Sequence, residues 1–470
     1  MMRRDKNGNF RKSKSRNRKE WAVILAVLML VVFGMHQMEQ IESAAVMEEN
    51  TVLENTAVLE EAAISENEQV TLNLHAAGAV LMDGYTGRVL YEKNASQVLP
   101  MASTTKIMTC IVALEYGNLE DLVEVSAYAA SMPDVQLNIN KGEQYRLENL
   151  LLSLMLESHN DAAAAIAEHI AAISLKTDRE TIKKMWTEEE WEQIEAAEAK
   201  NASQRSLEES KVLVSVFAGL MNQKAESIGC ENTCFITPNG LDAEGTKTTE
   251  NGRQENVIHS TTARELALIM RYCLSGSEQS QKFTELTQTR SVSFTDEEKK
   301  RSFSCNNHNS YLDMKDGAVS GKTGFTSKAG YCYVGAVNQD GIYLIVALLA
   351  CGWPPSKTLK WQDMNTLVNY GLENYSCVQV KGVEEDPSDY LVPVRNAKGK
   401  ENGMEKIETT MMFDPFSMLI KEGESLSGNW YLECKDAEED AVVGTYHIMV
   451  GKTICRSFDI QISRRKNWSK

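Results

Sequence analysis

No CxxC pair occurs in these 470 residues, so the local spacing of a zinc site or a redox motif is missing. Positive charge is in short supply. The net charge is −17, and the +5 carried by residues 1–45 leaves −22 for the remainder. A surface that acidic, with no basic stripe, excludes nucleic acid as an expected partner. No run has the length and apolarity of a full membrane span, which needs about 20 residues; the stretch from Trp21 to Met35 stops at fifteen. No amphipathic helix or apolar tail accompanies the closing RRKNWSK, so membrane contact is expected only through the N-terminal segment. No motif calls for a cofactor or a metal.

What is present begins with an export pattern. Arg3 to Lys19 is strongly basic, the fifteen apolar residues follow, and Ser43-Ala44-Ala45 offers small residues for cleavage. Residues 1–45 are therefore expected to be a cleaved signal peptide or a short uncleaved anchor, with the bulk of the chain on the extracytoplasmic side. Residues 46–71 hold seven glutamates and no basic residue, and read as a solvated spacer. Ten cysteines would be free to pair after export, but Cys332, Cys351 and most others lie in apolar runs, where a thiol acts as a small buried hydrophobe. Cys230 and Cys234 are the one pair close enough to bridge locally.

Periodicity divides the rest. AGAVLMD and RVLYEKN read as strands around Gly84–Gly87, and Pro100 suits a helix start. KIMTCIVALEYG and LENLLLSLMLES have helical spacing. Residues 174–211 are rich in Glu and Lys and read as an exposed helical insertion, with Trp186 and Trp191 available to pack it onto the body. Thr262 and Glu265 are spaced as a capping box for ARELALIMRYCL. AGYCYVGAV and IYLIVALLA form an expected hairpin, and LKWQDMNTLVNYGLENY a closing helix. Beyond residue 377 short alternating segments predict a small all-β domain. The expected layout is a catalytic domain at 72–376, carrying the insertion, and a β domain at 377–470.

Three short motifs carry chemistry. Ser103 and Lys106, in STTK, stand at i and i+3, which on a helix puts them in contact in the first turn, where N–H groups point outward. A serine needs a base, and a lysine can serve only if burial and neighbouring cations keep it neutral. The bland alternative is a helix N-terminus with a solvated lysine. Ser158 and Asn160, in SHN, follow a helix end. Ser158 can relay a proton, and Asn160 can hold a substrate amide or the lysine, unless the two only cap a helix. His159 between them is expected to point elsewhere. Lys322, Thr323 and Gly324 precede the hairpin as an edge strand, where Gly321 and Gly324 admit an extended peptide, Lys322 adds positive field and Thr323 a hydroxyl. Each motif alone is weak; in this order, behind an export signal, they point to an active-site serine acyl-transfer enzyme.

With AVLMDGYTGRVLYEKNA, TPNGLD and HSTTARELALI beside these motifs, residues 74 to about 375 resemble the serine D-alanyl-D-alanine carboxypeptidases, the low-molecular-mass penicillin-binding proteins of the peptidase S11 family. The resemblance implies an α/β (α+β) β-lactamase/transpeptidase-like catalytic domain and, through VVGTYHIMVGKTI, a C-terminal small all-β domain. It implies acylation of Ser103, with Lys106 as proton acceptor and Ser158 and Asn160 assisting. Lys322 and Thr323 would bind the terminal carboxylate of a peptidoglycan stem peptide. The backbone N–H groups of Ser103 and Phe325 would form the oxyanion hole, and β-lactams would be covalent inhibitors. Three departures stand out: His159 replaces a small residue, Lys360 replaces an arginine that helps hold the carboxylate, and the insertion at 174–211 is extra. Alternatives are a D,D-endopeptidase, a β-lactamase, for which the E-x-x-L-N glutamate is missing, and a non-catalytic penicillin-binding protein.

Overall fold

The computed structural model describes residues 70–248, 254–380, 391–393, 404–406, 409–410, 414–432 and 442–462. The expected export segment, the acidic spacer up to residue 69 and Cys434 lie outside these residues. The central element is a five-stranded sheet assembled from both ends of the catalytic region. Its strands are β1 (Gly78–Asp83), β2 (Val89–Lys93), β3 (Ala318–Thr326), β4 (Gly330–Gln339) and β5 (Ile342–Leu349), in the order β3-β4-β5-β1-β2. All pairings are antiparallel, with Gly78 opposite Leu349 and Lys322 opposite Val334. The apolar runs of β1, β4 and β5 follow from burial on both faces.

A short 3-10 turn, Ala102–Thr105, leads into α1 (Lys106–Tyr116), of which every residue from Lys106 to Leu114 is buried. Such a helix belongs at a core's centre. Pro100 does not start this helix as expected. It lies in a two-residue strand, Leu99–Pro100, paired with Ser260–Thr261, and the turn begins at Ala102. α2 (Leu147–Leu156) and α3 (Asn160–Thr177) pack against α1.

The first residues of the charged insertion continue α3. α4 (Arg179–Lys183) and α5 (Glu188–Glu198) follow, α5 opening on a capping box of Thr187 and Glu190. α6 (Leu207–Ile228) opens on a second box, Ser206 with Glu209. The insertion is docked: Ile182, Trp191, Ile194 and Ala197 are buried in the main core, with Trp186 partly buried against it. α7 (Ala263–Arg271) covers one face of the sheet and α8 (Leu359–Asn374) the other. Thr262 caps α7 as expected, but the box is half made, because Glu265 turns back to accept from Asn232 and Thr233.

Six of the nine described cysteines are buried, and Cys230 and Cys234 are not bridged to each other. Downstream, β6 (Tyr375–Val380) pairs with β7 (Phe416–Lys421). β8 (Leu426–Leu432), β9 (Val442–Val450) and β10 (Thr453–Ile462) form a meander over a small core of Phe416, Met418, Tyr446 and Ile448. Among the described residues no helix is long and apolar enough to cross a membrane.

Candidate active site

The three motifs converge where β3, the free edge of the sheet, packs on the 3-10 turn. That approach is close. A methyl group on Gly324 would stand 2.9 Å from the Ser103 amide nitrogen, and one on Gly240 only 2.1 Å from the Ala102 carbonyl oxygen. Gly240 also has φ +83°, so no other residue fits both the space and the backbone there. Ala102 (φ +49°) and Ser158 (φ +70°) are left-handed without being glycine, a strained conformation that clusters at functional sites.

Lys106 is completely buried. Its Nζ lies 3.0 Å from Ser103 Oγ, 2.9 Å from Asn160 Oδ1 and 2.5 Å from the Asn239 carbonyl oxygen. The Asn160 amide is oriented by its own Nδ2, which donates to the carbonyls of Pro133 and Asp134 at 3.1 Å each. Burial holds the Lys106 ammonium well below its usual basicity, Lys322 pushes the same way, and Asp161 opposes them. A neutral amine has two N–H groups and one lone pair. Two of the three neighbours are pure acceptors, so the lone pair is left for the Ser103 hydroxyl proton. Ser103 lies in the first turn, where its own N–H has no helical acceptor.

Lys322 is also buried, and burial lowers its pKa to about 7. Its Nζ donates to Ser158 Oγ at 3.0 Å and to the Thr323 carbonyl at 3.2 Å. Ser158 thus stands beside the second cation while Lys106 stands beside Ser103. Thr323 is half-buried on β3 and Phe325 is exposed, its ring tilted onto Tyr331 at 4.7 Å.

His159 faces away as expected: it is buried with Nδ1 2.8 Å from Ser153 Oγ, and burial lowers its pKa. Lys360 lies at the start of α8. Its Nζ donates to the Lys357 carbonyl at 2.6 Å and rests over the rings of Tyr331 and Trp361 at 4.9 and 4.7 Å. No direct hydrogen bond joins it to Ser103, Ser158 or Lys322 among the described residues.

Two contributors carry no sequence signal of a role. The Asn239 carbonyl, from TPNGLD, is a backbone group. His259, from HSTTARELALI, works at one remove. Its Nδ1 accepts from Ile236 N at 2.9 Å, so its Nε2–H donates to Thr105 Oγ1 at 2.7 Å, which in turn donates to the Ala102 carbonyl. One imidazole therefore fixes both the turn that bears Ser103 and the loop that bears Asn239.

The sequence pattern of the peptidase S11 family, D-alanyl-D-alanine carboxypeptidase, matches residues 63–185 and 214–351, more than half of the chain. The chain belongs to that family. It is a serine D-alanyl-D-alanine carboxypeptidase, a hydrolase of cell-wall biogenesis. The match breaks over 186–213, where α5 lies. The D-alanyl-D-alanine carboxypeptidase DacF of Bacillus subtilis is 26% identical over 357 residues, 75% of this chain and 74% of DacF. A D-alanyl-D-alanine endopeptidase of Pseudomonas aeruginosa is 26% identical over 280 residues, 58% of this chain and 71% of that protein. Penicillin-binding protein 5 of Haemophilus influenzae superposes with a TM-score of 0.57 at 20% identity, over 84% of this chain and 98% of its own, and so shares the fold.

Proposed function

We propose that Ser103 is the nucleophile and Lys106 its base in cleavage of the terminal D-Ala-D-Ala bond of peptidoglycan stem peptides. The observation that carries this assignment is the set of contacts at Lys106 Nζ, which leaves the Ser103 proton as the one its lone pair can take. Ser103 Oγ attacks the penultimate carbonyl as its proton passes to Lys106. The carbonyl oxygen, now charged, is received by the N–H groups of Ser103 and Phe325. Collapse breaks the peptide bond, and the departing D-alanine amine takes a proton by way of Ser158. Water then attacks the acyl-Ser103 ester, its proton passing to Lys106; the ester bond breaks, Lys106 returns the proton to Ser103 Oγ, and the shortened peptide leaves. Asn160 orients Lys106. Gly324 admits the peptide along β3. Lys322 and Thr323 hold the terminal carboxylate, and Lys360 adds positive field from behind Tyr331.

The layout proposed for the chain is an extracytoplasmic enzyme exported by residues 1–45, with a catalytic domain at 72–376 and a β domain at 377–470. β-Lactams are expected to acylate the same serine. Intact-mass measurement after benzylpenicillin exposure, with the adduct mapped by digestion, tests the assignment: one adduct is expected, on Ser103. An adduct elsewhere, or none, removes it. Similarity to an endopeptidase keeps cross-link cleavage as the second reading. Equal turnover of a free-acid peptide and its C-terminal amide would favour that reading, because no carboxylate would then be recognised.

A further inference from the structure

The two residues that flank Ser158 in the chain are not accounted for by the acyl-transfer chemistry. Glu157 and His159 point away from Lys106, toward the hairpin formed by strands Ser291–Thr295 and Ser302–Asn306. There they meet the buried thiol of Cys305. A carboxylate oxygen, an imidazole nitrogen and a sulfur from these three residues all lie within 4.8 Å of one another. These are the three ligand types that divalent zinc accepts.

The arrangement is held from outside. The Ser153 hydroxyl lies 2.8 Å from His159 Nδ1, so the tautomer that donates to Ser153 leaves the Nε2 lone pair directed at Glu157 and Cys305. The Asn306 amide donates to Glu157 Oε1 at 2.7 Å and leaves Oε2 facing His159. Such outer bonds on both a histidine and a carboxylate are what orients metal ligands. Metal–ligand bonds of about 2.0 Å to nitrogen and oxygen at a tetrahedral angle separate those two atoms by about 3.3 Å. His159 Nε2 and Glu157 Oε2 already stand 3.4 Å apart. His159 and Cys305 are buried and Glu157 is partly exposed, which gives an ion an entry path and leaves a fourth position for water.

We propose that Glu157, His159 and Cys305 form a site for a zinc-class divalent ion that clamps the Ser158 turn. On binding, the Cys305 thiol gives its proton to solvent and the thiolate sulfur bonds the ion. Drawing the triad together pulls Glu157 and His159 toward Cys305. Ser158, at φ +70° and 3.0 Å from Lys322, then moves away from that lysine. The absence of any CxxC does not bear on this site, because its cysteine comes from a hairpin far along the chain from its histidine.

The site itself is independent of the roles assigned to Ser103 and Lys106; its effect on acylation rests on them. Cobalt(II) titration of the purified full-length protein should give a stoichiometric near-ultraviolet thiolate-to-metal band that zinc bleaches. Cys305→Ser should lose the band. Glu157→Gln, a change at a partly exposed carboxylate, should weaken cobalt binding while the protein melts as wild type. No band, or an undiminished band in Cys305→Ser, overturns the site. Zinc should slow benzylpenicillin acylation of the wild type several-fold and leave Cys305→Ser at its metal-free rate. Equal zinc sensitivity of the two overturns the clamp. If the wild type is not acylated at all, the Ser103 assignment and the clamp both fail, and the cobalt spectrum still decides the site.

Discussion

At the scale of single residues the site is a division of labour between two buried lysines. Burial favours the neutral form of both, yet the proposed mechanism needs Lys106 neutral and Lys322 charged. Their partners separate them. Lys106 faces two acceptors and a hydroxyl, whereas Lys322 donates to Ser158 Oγ and the Thr323 carbonyl; in the proposed mechanism the substrate carboxylate supplies its counter-charge. On the proposed mechanism, removing Lys106 should be as damaging as removing Ser103, since a nucleophile and its base act as one unit. Lys106→Ala is expected to slow penicillin acylation by roughly 10²–10⁴-fold; near-normal labelling of that variant would assign the proton to another base. For Lys322 the test is pH. In the free enzyme its cation is present below about 7 and is lost above, so kcat/KM for a free-acid peptide should fall as pH rises through that value. Lys322→Arg, which stays charged, should move the alkaline limb upward. An unmoved limb would mean that a different group titrates there.

At the scale of elements, the turn carrying Ser103 is held between β3 and the 236–241 loop, and His259 ties that loop to the turn. This placement has a cost in acid. Burial first, and the Lys106 charge second, lower the His259 pKa from 6.5 to about 3. Between those values the unfolded chain binds a proton that the folded protein does not. Stability is therefore fully present above 6.5 and declines as pH falls toward 3, by roughly 1.4 kcal/mol per unit from this group. His259→Gln should flatten that slope when melting temperature is followed against pH, although it lowers stability near neutrality by loosening the turn. Parallel slopes for variant and wild type would show that His259 does not carry the effect.

The individual strands, the helix α1 and the three motifs are legible because each is written in contiguous residues: alternation, helical spacing, or a serine three positions from a lysine; the pairing of β1 with β5 across the chain is not. Pro100 misled because a proline is as acceptable at a strand edge as at a helix start. The Asn239 carbonyl was hidden because backbone atoms leave no mark in composition, and His259 because it acts through Thr105 and the loop rather than on substrate. The insertion's docking was half legible, through Trp191. What no local pattern announced is how the catalytic region joins the β region, since that junction pairs residues from distant segments. Arg88, just before β2, donates through Nη2 to both oxygens of Glu424 at 2.7 Å. Asp83 accepts from the Leu419 amide, and Tyr375 donates to the Leu90 carbonyl. The Arg88 side chain is only 6% exposed against 25% for Glu424, so the pair is mostly withdrawn from water. Breaking such a pair from one side leaves a buried charge uncompensated. Glu424→Gln is therefore expected to cost about 2–3 kcal/mol of stability in chemical denaturation, while the rate of penicillin acylation, proposed to occur at Ser103, stays at the wild-type value. Full stability in the variant would mean that solvent or another acceptor can replace the carboxylate. A parallel loss of acylation in protein that is still folded would mean instead that the β region helps to hold the active site in shape.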